Sequence, residues 1–531
     1  MSKKGGEESQ NSPQLLLLAI SELTPTPTLY KQENLSSSAS RGRMLSSYLQ
    51  AEQRVRDDYA KTLQAGLVRP ASSVVASLNF VLLIGWLFVS PSLSEACFQR
   101  SRLPFFLCIS YISAWNLLYT RSIGVVGSIG VGLNSALCVV LAVNFILLHD
   151  PRTFKRLVLR PVPGPSGTDG RTQLAGRVGT YDGQGPERLL AWEPMPGNLW
   201  RRLFWILDLI TSLRGVHWSW SSSASPPAIF CLNEACSNRT ASAARNVSRF
   251  IIDYLLIDLL KCLMIADPYF LGYSTKAPPP HLSAYLTSPW GQYTYRLLLS
   301  TAGMYTAVDL EFASAALLQV NVLGPVMLGL NALPLTFPPI WGSPSAILCK
   351  GLRGFWGESW HQFFRMHFVS IGDAAADLLL KDERRSPRKY QSPDNKPLDG
   401  LKSSKARHVI RTVAVFLFSG LLHACASYTL LGPTKPFATF LFFALQPLGM
   451  AIQSACSKLF TSSYLSMLPD RWTTVIRQAS NAGFTILWLW GTAGMFFDDM
   501  ASGGMWLLDP IPVSFIRGLG LSKDDKRFWC W

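Results

Sequence analysis

Eight apolar runs divide this 531-residue chain: Val74–Ser90, Pro104–Thr120, Ile123–Leu148, Phe250–Ala266, Phe312–Pro338, Thr412–Gly432, Phe437–Cys456 and Asn481–Phe497. A helix needs about 20 predominantly apolar residues to cross the hydrocarbon of a bilayer. Repeated runs of this length leave few folds open, because every backbone N–H and C=O inside lipid must be bonded within the protein. The shorter runs suit tilted or broken helices, or helices partly enclosed by neighbours. With 48% apolar and only 15% charged residues, the composition is also unlike that of a soluble domain. The expectation is an all-α, polytopic transmembrane helical bundle of roughly eight spans.

A net charge of +16 is compatible with nucleic-acid binding, but its distribution points elsewhere. Nine Arg or Lys residues lie between His149 and Arg202, and nine more between Gly372 and Arg407. Basic residues retained between apolar runs mark cytosolic loops, so no nucleic-acid partner is expected. An anionic, nucleotide-bearing substrate would meet those loops. The ten cysteines are scattered, mostly in or beside apolar runs, with no disulfide framework or metal pattern; Cys231 and Cys236 form the only close pair in a polar loop. Asn34, Asn238 and Asn246 begin acceptor tripeptides for N-glycosylation. The Leu15–Ile20 run is too short for the apolar core of a cleavable signal.

Four divisions follow. Residues 1–73 form a cytosolic or disordered N-terminus, 74–148 the first spans, 149–249 polar loops, and 250–531 the core that carries the candidate chemistry. Within the first, Leu45, Tyr48, Leu49, Val55, Tyr59 and Leu63 recur at helical spacing, as in a helix lying on a membrane or packed on protein. Gly124, Gly127, Gly130 and Gly132 read as close helix packing rather than a phosphate loop, since no strand precedes them and no Lys follows. Arg152–Gly197 is rich in Pro and Gly with little periodicity, and Arg214–Trp220 forms an aromatic and basic cluster suited to a membrane interface or a substrate. Pro325 and Pro334 predict a broken helix over Phe312–Pro338. Asp258 and Lys261 are spaced to pair on a helix face.

Two histidines stand out. His423 sits near the centre of Thr412–Gly432, 21 residues without a charge, and an ionisable group at that depth must find protein partners. Phe416, Ser419, Gly420, Ala426 and Ser427 share its helical face. Small neighbours there leave room for a substrate or for a second helix, and a neutral imidazole is a competent general base. His361 lies in the aromatic string Arg353-Gly-Phe-Trp-Gly-Glu-Ser-Trp-His-Gln-Phe-Phe-Arg365. A helix over Phe355–Ser370 would place Trp356, Trp360, Phe363 and His367 on one face, with His361, Glu358, Arg365 and Phe368 beside it. His367 reads as a packing residue.

The string Arg353-Gly-Phe-Trp-Gly-Glu-Ser-Trp-His-Gln, followed by Phe418-Ser-Gly-Leu-Leu-His423, resembles the membrane-bound O-acyltransferase superfamily, in its wax synthase-like branch. Within that branch the chain looks most like the fungal acetyltransferases of terpenoid and meroterpenoid pathways. Similarity at motif level covers residues 335–431. The resemblance implies a helical bundle enclosing a reaction chamber in the endoplasmic reticulum membrane, with acetyl-CoA or another acyl-CoA as co-substrate and no permanently bound cofactor. The acceptor would be a hydrophobic alcohol arriving from membrane lipid. His423 then matches the catalytic histidine, and His361, where relatives often have Asn, a supporting group. Trp356, Trp360, Arg353, Arg365 and Ser419 would contact substrate. Ala424 and Cys425 depart from the family pattern, leaving open which group orients His423.

A long-chain wax synthase would share both histidines. A transporter could use a mid-membrane histidine, but transporters are usually built from internal repeats and no motif recurs between the two halves.

Overall fold

The computed structural model describes residues 40–71, 73–161, 174–178, 188–216, 218–220, 239–273, 288–324, 334, 337, 340–380, 398–463, 469–507 and 511–519. Met44–Trp531 forms one compact unit and Met1–Arg43 another, of which only the first turn of α1 (Ser40–Gln64) is described. Tyr48 and Ala51 of α1 are buried with Ile265, Leu271 and Leu507, and the Tyr48 hydroxyl donates to the Leu507 carbonyl at 2.6 Å. This helix therefore packs on protein through its apolar face.

Helices α2 (Ser73–Val89), α3 (Glu95–Tyr119) and α4 (Val125–Ala142), the last continuing as a π-helical turn Val143–Leu148, pack around Leu83, Trp86, Phe98, Ile109, Leu141 and Phe145. Of the four clustered glycines, Gly132 makes the close approach: a Cβ there would lie 1.9 Å from the Cys425 carbonyl oxygen. Ser128 and Thr429 exchange hydroxyl-to-carbonyl bonds of 2.7 Å at the same crossing.

Three antiparallel strands, β1 (Lys155–Pro161), β2 (Leu174–Val178) and β3 (Arg188–Pro194), form a small sheet in the order β1-β3-β2. The all-α expectation is corrected to that extent: a segment read as irregular gains order from strand pairing between residues distant in sequence. Helix α5 (Leu199–Thr211) follows. Trp218 is 1% exposed and set edge-on to Trp205 at 4.8 Å, so this part of the Arg214–Trp220 cluster is core rather than interface; His217 lies outside the described residues.

Helices α6 (Arg239–Ile265) and α7 (Pro289–Ala316, extended by a π-helical turn to Leu323) are tied by the Arg249–Asp309 ion pair. The helix stops at Gly324, which has φ of +69° and immediately precedes Pro325, a position where α geometry is disfavoured. Asp258 accepts from the Ser514 hydroxyl and the Ile516 N–H, while Lys261 donates to the Trp506 carbonyl. Asn246 is 3% exposed inside α6, which removes its tripeptide as a surface acceptor; Asn34, Asn238, Cys231 and Cys236 lie outside the described residues.

The remaining helices are α8 (Ser345–Lys350), α9 (Arg365–Leu379), α10 (Leu398–Tyr428), α11 (Pro436–Ala444), α12 (Gln446–Ser463), α13 (Asp470–Thr492), α14 (Gly494–Ser502) and the short α15 (Phe515–Gly518). Among the described residues four helical stretches are long and apolar enough to cross a membrane: Gly127–Leu148, Pro289–Leu323, Lys405–Tyr428 and Pro436–Leu459; Ser77–Ser92 is apolar but shorter. The expected eight is thus met by four. The runs Phe250–Ala266 and Asn481–Phe497 fall in helices that carry charge at their flanks or within them.

Candidate active site

The predicted helix over Phe355–Ser370 is not formed, and this correction defines the site. Gly351 has φ of +61° and ψ of −139°, a backbone region essentially reserved for glycine. A Cβ there would strike the Gln453 side chain. Gln453 accepts from the Leu352 N–H at 2.9 Å and donates to Asn481 at 3.2 Å, so α12 and α13 hold the turn. A π-helical turn covers Phe355–Ser359, and Trp360 is extended, with ψ of 155°. Helix resumes only at Arg365. The break separates Trp356 and Trp360 from His367, which lies deep in the N-terminal core between Phe145 and Trp220.

Two side chains staple the non-helical link. Gln362 donates to the Trp356 and Trp360 carbonyls at 3.0 and 2.6 Å, and Arg365 donates to the Gly357 carbonyl at 2.8 Å. Arg365 is exposed, with its hydrogen bonds spent on the link. The link sets His361 among Trp360 (5.4 Å between ring centroids), Phe363 (5.3 Å) and Trp341 (6.0 Å). His361 Nδ1 has no hydrogen-bond partner. Burial, and then the neighbouring His423, hold the His361 imidazole down at about 3, so at neutral pH it is uncharged, with one N–H to donate and one lone pair.

His423 reaches the same region from α10. Its Nδ1 lies 2.7 Å from the Ser419 carbonyl oxygen. A carbonyl can only accept, so Nδ1 carries the proton and the lone pair of the neutral ring is on Nε2. The ring stacks on Phe443 at 4.3 Å and 23°, with Phe496 edge-on at 6.1 Å, and it is half-buried. The group orienting His423 is therefore backbone from its own helix, one turn back. Ser419 contributes through its carbonyl.

Trp356 joins the two halves. Its ring lies 6.0 Å from Phe443, 5.7 Å from Phe416 and 6.1 Å from Trp360, and its indole N–H donates to Gln446 at 3.0 Å. His423, Phe443, Trp356, Trp360 and His361 thus form one continuous chain of rings. Arg353 stands apart: it is exposed and contacts His408 Nε2, while Arg411 lies 3.0 Å from His408 Nδ1. His408 precedes His423 by 15 residues on α10, about 22 Å along the helix axis.

Sequence reasoning missed Trp341, Gln362, Phe443 and Gln446. Gln446 offered a signal, as a polar residue inside the Phe437–Cys456 run, and it is fully buried. Phe443 offered none, being indistinguishable in sequence from a lipid-facing phenylalanine.

Residues 337–445 match the model of the "Membrane bound O-acyl transferase family". The chain is 27% identical over 285 residues to the acetyltransferase spyB of Aspergillus fumigatus, covering 52% of this chain and 43% of that protein. It is 22% identical over 304 residues to the acetyltransferase atnC of Arthrinium sp, covering 56% and 62%. To the O-Mevalon transferase macI of Penicillium terrestre it is 26% identical over 262 residues, covering 48% and 52%. The chain spans about half the length of these relatives. No solved structure matches it significantly. The stretch that matches this family model is the one that carries both His361 and His423.

Proposed function

We propose that this chain is an integral membrane O-acyltransferase of the endoplasmic reticulum, moving an acetyl group from acetyl-CoA to a hydroxyl of a hydrophobic, terpenoid-like metabolite. The observation that carries the reading is the Ser419 carbonyl on His423 Nδ1, which leaves Nε2 as a lone pair in a ring-lined interior. Nε2 takes the alcohol proton as the hydroxyl oxygen attacks the thioester carbonyl. The tetrahedral centre then expels coenzyme A by breaking the C–S bond, and the imidazolium returns the proton to the departing thiolate. No acyl-enzyme is needed. An N–H of neutral His361 polarises the carbonyl oxygen. The surrounding aromatic rings keep water from competing for the thioester.

Arg353, His408 and Arg411 support the choice of donor. They gather basic and polar groups four helical turns from His423, where the phosphates of coenzyme A can sit while the pantetheine arm extends along α10. Acetyl transfer is also what the names of two relatives state. The name of the third favours a second reading, transfer of a hydroxylated mevalonyl group on the same histidines.

The test uses purified protein in nanodiscs with labelled acetyl-CoA, mevalonyl-CoA or palmitoyl-CoA. Farnesol and hexadecanol serve as acceptors, and the esters are identified by mass spectrometry. Farnesyl acetate is the expected product. Mevalonyl esters would favour the second reading, hexadecyl palmitate would make the protein a wax synthase, and no ester with any pair would return the transporter reading.

A further inference from the structure

Asp499 on α14 is a buried carboxylate, 4% exposed, that the mechanism above does not use. Its Oδ2 accepts from the Ser427 and Thr439 hydroxyls, each at 2.5 Å, and its Oδ1 accepts from the Lys435 backbone N–H. The three donors come from two helices and the junction between them. Ser427 is four residues beyond His423 on α10, Thr439 is four residues before Phe443 on α11, and Lys435 caps the start of α11. Residues four apart share a helix face, so each hydroxyl lies one turn from a ring of the His423–Phe443 stack. Phe496, three residues before Asp499 on α14, closes the figure, with its ring 6.1 Å from His423 and 5.9 Å from Phe443.

Burying a carboxylate is unfavourable unless donors replace its water. Here two hydroxyls, a backbone N–H and the positive end of α11 do so. A phenylalanine stack has no directional bond of its own to fix where it sits along the helix axis. The carboxylate supplies that restraint by binding α10 and α11 at once.

We propose that Asp499 is the positioning residue for His423: it holds α10 and α11 in the register that lays Phe443 on the imidazole and keeps Nδ1 on the Ser419 carbonyl. The proposal rests on His423 being the base. Asp499→Asn keeps the shape but loses the charge, and whichever oxygen it keeps, its NH2 group cannot accept the hydrogen bonds that Oδ1 and Oδ2 together receive. Ser427→Ala removes one donor and leaves the charge.

With labelled acetyl-CoA and farnesol, both variants are expected to lower kcat by about 10- to 100-fold, the scale of a small misplacement of a catalytic group. The KM for acetyl-CoA should stay within about twofold, because the donor's charged end lies four turns away. Asp499→Asn combined with Phe443→Ala should lose no more than the worse single variant, since both act on one geometry. Normal kcat in folded Asp499→Asn and Ser427→Ala overturns the proposal, as does a loss that only follows the amount of folded protein. If Asp499→Asn does not accumulate, Ser427→Ala decides alone. Should His423→Ala itself turn over normally, the base assignment fails; if His423→Ala is inactive while the Asp499 and Ser427 variants are normal, only the positioning role fails.

Discussion

His423 and His367 are two imidazoles set in the interior of the same protein and held in opposite ways. His367 is fully buried, 5.6 Å from Phe145 and 5.1 Å from Trp220, and neither ring nitrogen has a hydrogen-bond partner. His423 is half-buried and has one nitrogen fixed on a carbonyl. What distinguishes His423, the base of the proposed reaction, is a ring nitrogen fixed by a hydrogen bond, which defines its tautomer.

Replacing each of the two by phenylalanine sharpens this contrast most. His423→Phe is expected to lower acetyl transfer by about 10²- to 10⁴-fold, the range for a positioned base, with no loss of folded protein. His367→Phe should leave turnover within about twofold. Similar losses for the two would break the comparison, and kcat per folded molecule is the measurement.

His361 comes next. His361→Ala should cost about 10²-fold in kcat, as for a lost carbonyl-polarising donor, whereas His361→Asn keeps an N–H and should stay within about tenfold of the parent. Equal rates for the two would reduce His361 to packing. A smaller effect is expected at the far end of α10. Arg353→Ala should raise the KM for acetyl-CoA by about tenfold, the size of one charge-assisted contact, with kcat nearly unchanged.

The smallest effect concerns stability. Burial, and then His149, lower the His367 imidazole from 6.5 to about 4. Between those values the unfolded chain binds a proton that the folded chain does not, so stability falls as pH drops from about 6.5 towards 4. His367→Phe removes that proton and an unmet polar group. The acid-side decline in Tm should therefore be shallower in the variant than in the parent, and an unchanged decline would show that other groups set it.

The parts of the fold written in local pattern were legible from sequence. Most of the uncharged run around His423 lies in α10, and the glycines at the start of the third apolar run do pack closely, though through Gly132 rather than through all four. Where reading failed, tertiary contacts had overridden local spacing. The aromatic spacing over Phe355–Ser370 fits a helix, but Gln453 against Gly351, together with the staples from Gln362 and Arg365, holds that chain open. Proximity of the two histidines was expected from resemblance; the carbonyl that orients His423 was not, because a helix's own backbone leaves no mark in its sequence. Asp499 was likewise hidden, 60 residues and more from the hydroxyls it binds.

The central claim is that Ser419 holds His423 with its proton on Nδ1 and its lone pair on Nε2. Nitrogen-15 NMR of histidine-labelled protein reads this directly, with the signal assigned by its absence in His423→Gln. The account requires a neutral ring at neutral pH, protonated at Nδ1 and bare at Nε2, whose Nε2 signal shifts when an acceptor alcohol is added. A ring protonated at Nε2, or at both nitrogens, would contradict it.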